Sequence, residues 1–170
     1  MSNDIRKFRN ALGTFATGVT IVTTTSKDGE PIGLTANSFS SVSLDPPLLL
    51  FCLDRESYSF GHFEASKHFA VNVLHESQED ISSHFARPSE DKWRHVDYDM
   101  CGVGCPSFGD ALAIFECRTH AIHDGGDHII IVGEVVDYVH KTEGDPLLYY
   151  RGRYARIAGD DDPRIPGATA

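Results

Sequence analysis

Val19-Thr20-Ile21-Val22-Thr23-Thr24-Thr25, followed by Lys27-Asp28-Gly29-Glu30 and then Ile32 to Ala36, is the run on which the fold turns. Its β-branched residues favour an extended backbone. The Asp-Gly pair supplies the positive φ that a tight turn needs, so the run predicts a β-hairpin. Upstream, Ile5, Phe8, Leu12 and Phe15 recur at helical spacing. They predict an amphipathic helix over residues 4 to 16, with Asp4 near its start and Gly18 beyond its end.

Downstream, Asp45-Pro46-Pro47 breaks the chain before Leu48 to Leu53, a strand apolar on both faces and so expected at the centre of a sheet. Phe69 to Leu74 reads as another strand. Ser77 followed by Asp80 resembles an N-cap with an acidic first turn, opening a helix through Phe85. Arg87 to Phe108 reads as a long irregular excursion. Phe115 to His123, the turn Asp124-Gly125-Gly126-Asp127, and His128 to Tyr138 predict a second hairpin, and Leu147 to Tyr150 a last strand. Short strands joined by hairpin signals, with two or three helices, argue for a mainly β, antiparallel barrel whose openings the helices flank.

The 170 residues fit one domain, expected over 1–158, with an acidic, Pro- and Gly-containing tail over 159–170. The apolar fraction of 41% argues against disorder. No apolar run approaches the roughly 18 residues of a membrane span, and the first residues lack the marks of a secretory signal. A cytoplasmic, membrane-free protein is expected. The net charge of −10, with no dense Lys/Arg block, excludes nucleic acid as the expected partner.

The densest chemical signal is Thr35-Ala36-Asn37-Ser38-Phe39-Ser40-Ser41-Val42-Ser43-Leu44-Asp45-Pro46-Pro47. Its hydroxyls, amide and backbone N–H groups can hold a phosphate or the polar edge of a heterocycle. Taken alone, the segment also fits a serine-rich turn that caps its own backbone, and on the residues alone that plainer reading stands first.

This segment resembles the flavin-binding segment of the short-chain flavin reductases, the reductase components of two-component flavin monooxygenases. Three further features resemble the same family in the same order. They are Phe8 to Val19 running into the first strand, Phe69 to Leu74 followed by Phe85-Ala86, and Gly126-Asp127-His128 heading a strand that contains Gly133. The resemblance covers about residues 5 to 157. It implies a split β-barrel of the FMN-binding, Greek-key type, homodimeric, with the flavin near the subunit interface.

The resemblance also assigns positions. Thr35, Asn37, Ser38, Ser41 and Val42 would line the flavin, and Cys52 and Leu53 would face its ring. Ser57 and Ser59 would receive its phosphate, with a helix beginning near Ser59, and Phe85 and Ala86 would approach it. His128 would stand against the nicotinamide dinucleotide, with Tyr150 beside it. Leu53 and Phe85 also read as ordinary core, and His128 alone as a solvated turn residue.

The implied activity is hydride transfer from NADH or NADPH to FMN or FAD, with reduced flavin passing by diffusion to a separate oxygenase. Because the cofactors carry that chemistry, no residue is assigned as nucleophile, acid or base. The alternative is a non-enzymatic flavin-binding, electron-transfer protein on the same barrel. A pyridoxamine-phosphate-oxidase-like activity would call for a basic cluster that the sequence lacks. Cys101 and Cys105 form a Cys-x₃-Cys pair, with Cys117, His120 and His123 downstream. A strand over Cys117–His123 would scatter these groups over two faces, so no metal is expected and the two cysteines read as free loop thiols.

Overall fold

The β-branched run folds as its composition dictates. In the computed structural model, which describes residues 2–89 and 91–158, it forms β2 (Thr20–Thr25), paired antiparallel with β3 (Pro31–Ala36). The tail expected over 159–170 lies outside the described residues. The other elements are α1 (Ser2–Leu12), β1 (Thr17–Gly18), β4 (Ser40–Leu44), β5 (Pro47–Asp54), α2 (Phe60–Ala65) and β6 (His68–Val73). A 3₁₀ turn (Glu76–Gln78) then leads into α3 (Glu79–Phe85), β7 (Asp99–Met100), β8 (Pro106–Ser107), β9 (Ala113–Gly125), β10 (His128–His140), β11 (Leu148–Tyr150) and β12 (Arg153–Ala155). No helix among the described residues is long and apolar enough to cross a membrane, which says nothing of spans made by strands.

The fold is mainly β. The principal sheet has the order β3-β2-β6-β9-β10-β5-β4, every neighbouring pair antiparallel. Two small sheets, β1-β11-β12 and β7-β8, flank it. Laid flat, seven strands at about 4.8 Å spacing would hold β3 and β4 roughly 29 Å apart. Yet only Asn37-Ser38-Phe39 join these edge strands, a connection that spans at most about 14 Å. The sheet must therefore curl until its edges approach. The expected barrel is open rather than closed: among the described residues the edge strands do not pair with each other.

A serine side chain bridges the opening. β4 pairs with β5 only as far as Leu50, so Cys52 lies beyond β4's reach. Ser38 Oγ accepts from the Cys52 N–H at 2.9 Å and donates to the Cys52 carbonyl oxygen at 3.1 Å. One hydroxyl thus serves both backbone groups that a paired strand would have served.

β2 is buried on both faces. Val22 joins Leu49, Phe51, Leu53, Phe63, Phe69 and Ile131 in one core, while Ile21 joins Val19, Leu74, Phe85, Phe108 and Leu147 in the other. Its buried threonines are satisfied: Thr20 Oγ1 donates to the Ala36 carbonyl oxygen at 2.7 Å and Thr23 Oγ1 to that of Pro106 at 2.6 Å.

Several elements differ from expectation. The first helix ends at Leu12, not 16, because Thr14 turns the chain by donating its hydroxyl to the Ala11 carbonyl oxygen. The helix expected at Ser77 begins instead as the 3₁₀ turn capped by His75, whose Nδ1 accepts from the Ser77 N–H. The serine-rich segment contains an unforeseen edge strand, β4, and β12 was likewise not foreseen. β5 is internal, but it alternates between buried and partly exposed residues rather than being buried on both faces.

Candidate functional site

A cleft of about 670 Å³ opens where the sheet fails to close. That volume lies within the roughly 300–1,000 Å³ of small-ligand pockets. Of the expected flavin residues it gathers Thr35, Asn37, Ser38, Cys52, Leu53, Ser57, Phe85 and Ala86, and it brings His128 to the same wall. The hydroxyl-rich segment and the imidazole, 90 residues apart along the chain, thus converge on one cavity. Ser41, Val42, Ser59 and Tyr150 do not line it. Ser41 and Val42 stand exposed on β4, Ser59 is buried at the N-cap of α2, and Tyr150 lies on β11.

The sheet register places each group. His128 opens β10 opposite Asp54, at the end of β5, and Cys52 faces Ile130. The β9–β10 turn is held from outside by Arg55, whose Nε donates to the Gly126 carbonyl oxygen at 2.9 Å and whose other guanidinium nitrogen pairs with Asp124. The Arg55 N–H also donates to the Asp127 carbonyl oxygen at 3.0 Å. Gly126, at φ +81°, takes the left-handed conformation that the turn requires.

His128 Nδ1 lies 2.7 Å from Asp127 Oδ1. The hydrogen bond from His128, then its charge, hold the exposed Asp127 carboxyl below the usual carboxylate range. With Nδ1 donating to that carboxylate, Nε2 is the nitrogen left for a ligand. It accepts in the neutral ring and donates in the charged one.

Not every hydroxyl is free. Thr35 Oγ1 donates to the Ser82 carbonyl oxygen at 2.6 Å, and Ser38 is committed to Cys52. Ser57 Oγ accepts from the Ser59 N–H at 3.3 Å, a bond that does not use its own proton. Thus Ser57 is the better-placed hydroxyl donor, and Ser59 supports it from beneath.

Sequence reasoning missed Leu34, Asp54, Glu56, Tyr58, Pro88 and Lys92, all of which line the cleft. A larger neighbouring pocket of about 770 Å³ shares Asn37 with it and carries Arg9, Tyr149 and Arg151. Arg151 has a positive φ of 49° and lays its guanidinium 5.2 Å from the centre of the Tyr150 ring. The four cysteines are free thiols. Cys101 and Cys105 sit in the β7–β8 connection, Cys105 buried there, and burial pushes Cys105 and Cys117 up to about 12. Among the described residues no group of three or more His, Cys, Asp or Glu is arranged to hold a metal ion.

The cleft fits a planar cofactor with a polar edge and an anionic tail. Leu34, Ala36, Leu53, Phe85 and Pro88 give it apolar walls, and Asn37, Ser57 and Lys92 give it polar points. Apolar walls with a few polar points, on an antiparallel sheet, are the chemistry that a site for a planar cofactor requires. Residues 12–158 match the family model of the flavin reductase like domain, and the chain belongs to that family.

A probable flavin reductase of Rhizobium meliloti (strain 1021) is 49% identical over 159 residues, which are 92% of this chain and 50% of that protein. The chain therefore spans about half the length of that relative. FMN reductase (NADH) SmoA of Agrobacterium fabrum is 46% identical over 153 residues, covering 90% of this chain and 86% of that protein. Among solved structures, the Streptomyces globisporus C-1027 NADH:FAD oxidoreductase SgcE6, in complex with NAD and FAD fragments, superposes with a TM-score of 0.89. Its identity is 39%, covering 95% of this chain and 98% of that one.

Proposed function

We propose that the chain is an NAD(P)H-dependent flavin reductase that releases reduced flavin to a separate flavin-dependent oxygenase, with NADH the favoured donor. The observation that carries this reading is the convergence of Asn37, Ser57, Leu53 and His128 on one open cleft. A bound flavin, FMN or FAD, supplies the electron-accepting ring. Leu53, Cys52, Phe85 and Ala86 exclude water around it, while Asn37 and Ser57 orient its polar groups. His128, steadied by Asp127, holds the nicotinamide dinucleotide through Nε2. Arg9 and Arg151, in the pocket beyond Asn37, meet its phosphates, and Tyr150 supports Arg151 from below.

We read the curled, Ser38-bridged sheet as a split barrel of the Greek-key type that works as a homodimer. Ile5, Phe8, Leu12 and Phe15 are 56–77% exposed, and Leu44 is 95% exposed. That much uncovered apolar surface supports an isologous contact with a second copy. In such a dimer Ser41 and Val42, exposed beside Leu44, would meet a flavin held by the partner subunit.

The test is oxidation of NADH followed at 340 nm with FMN, FAD or no flavin, repeated with NADPH. Flavin-dependent turnover with release of reduced flavin is expected. Stoichiometric flavin binding without NADH- or NADPH-dependent bleaching would overturn the reductase reading in favour of a flavin-holding electron carrier.

A further inference from the structure

Lys92 lies in the irregular segment between α3 and β7, where nothing in the sequence marks it. Its Nζ donates to the carbonyl oxygen of Phe85 at 2.9 Å and lies 3.5 Å from that of Gly33. Those two carbonyls, at the end of α3 and on β3, fix the ammonium at one place on the cleft wall. It is the one lysine or arginine among the described residues lining the cleft, which also include the carboxylates Asp54 and Glu56. In a chain of net charge −10, an anion entering the cleft meets this ammonium as its fixed positive charge.

The placement carries an energetic penalty. Half-burial strips water from the ammonium and draws its pKa below the ordinary lysine value. Two neutral carbonyls offset that loss only in part. A tie to the Phe85 carbonyl alone needs a donor, not a charge. A full positive charge held at the wall of a ligand cleft is explained by a negative charge arriving from the ligand.

We propose that Lys92 neutralises the negative charge of the flavin bound in this cleft. The inference rests on the flavin reading of the cleft and goes beyond it by naming the residue that senses ligand charge. A flavin bears negative charge in two places. One is the phosphate of FMN. The other is the ring itself, which two electrons and one proton leave with one net negative charge.

Dissociation constants separate these sources. Riboflavin and FMN, each oxidised and each reduced anaerobically with dithionite, are titrated into the full chain and into Lys92→Gln, Lys92→Met and Lys92→Arg. Lys92→Gln keeps N–H donors for the two carbonyls, and thermal unfolding checks that each variant is folded. Oxidised riboflavin is uncharged and reports on packing alone. We expect Lys92→Gln to leave it nearly unchanged and to weaken at least one charged form about tenfold, or about 1.4 kcal/mol. Lys92→Arg restores that affinity. A loss confined to FMN in both oxidation states assigns the charge to the phosphate. A loss confined to reduced flavins, riboflavin included, assigns it to the ring. Equal weakening of all four ligands, or no weakening of any, overturns the inference. Wild-type chain that binds none of the four ends the flavin reading itself, a result the wild-type titration alone delivers.

Discussion

Replacing Ser38 with alanine removes one oxygen atom and, with it, the link across the open side of the sheet. Two hydrogen bonds to the Cys52 backbone, at 2.9 and 3.1 Å, are lost together. Each such bond contributes about 1 kcal/mol net, and water regains part of this half-buried place, so the expected loss is about 1–2 kcal/mol. For a domain of this size that lowers Tm by roughly 3–6 °C. Cys52 and Leu53 border the cleft, so flavin affinity should fall as well. Ser40→Ala is the control, since that exposed hydroxyl donates only to the neighbouring Ser41 carbonyl oxygen and should change stability by less than about 0.5 kcal/mol. Differential scanning calorimetry and flavin titration of the two variants give the answer. A Ser38→Ala protein that melts within about 1 °C of the parent and binds flavin equally well would refute the argument, because the serine would then bridge nothing of consequence.

Arg55→Ala should leave stability nearly unchanged, since exposed ion pairs contribute at most about 1 kcal/mol, yet raise KM for NADH severalfold by freeing the turn that carries His128. An unchanged KM would show that the turn holds itself. Gly133→Ala should cost about 1–3 kcal/mol, read in urea unfolding, because the added carbon would fall on the buried Phe69 ring and 3.0 Å from Cys117 Cβ. The native state keeps the Cys105 and Cys117 protons up to about 12, whereas an unfolded thiol releases its proton near the ordinary 9.0. Stability should therefore be independent of these thiols below that ordinary value and fall as pH rises from 9.0 toward about 12, with Cys105→Ala flattening the decline. Urea midpoints with the same pH slope in parent and variant would contradict this. Leu12→Asp, on the exposed face of α1, should convert a dimer to monomer in sedimentation, and a parent that already sediments as a monomer would sink the homodimer.

Both long hairpins were legible in the sequence because their turns are local chemistry. Asp28-Gly29 and Gly125-Gly126-Asp127 provide the needed backbone freedom, and the flanking strands are β-branched or alternating. β4 was not legible, because Ser40-Ser41-Val42-Ser43 is serine-rich and mostly exposed and becomes a strand only by pairing with β5, a tertiary event. Apolar spacing overextends the first helix, since Phe15 keeps that spacing after the backbone has already turned at Thr14. In the site, the segment from Thr35 to Ser38 announced itself by its hydroxyls, and His128 by its turn. What those hydroxyls do was hidden, because whether a serine serves a ligand or its own backbone depends on which strand end lies opposite. Lys92 and Arg55 were hidden for the same reason: each reaches a carbonyl distant in sequence, that of Gly33 for Lys92 and of Gly126 for Arg55.

The position of the cleft follows from the topology. β10 extends along β5 as far as Asp54, while β4 stops at Leu50, so Phe51 to Asp54 keep one edge without a strand. A continued β4 would satisfy that edge and leave no space beside it. Instead the chain crosses from β3 to β4 as Asn37-Ser38-Phe39, and one serine does for Cys52 what two ladder bonds would otherwise do. The few residues so spared become the cleft floor, with His128 fixed across from Asp54 by register and Lys92 fixed by two carbonyls. A sheet zipped shut would gain ladder bonds and lose the cavity. Along that open edge the backbone is served by local bonds, from Ser38 to Cys52 and from the Ser57 N–H to the Asp54 carbonyl oxygen at 3.0 Å, so the sheet stays open without orphaning these groups and the space it keeps is the physical ground for reading the opening as a binding site.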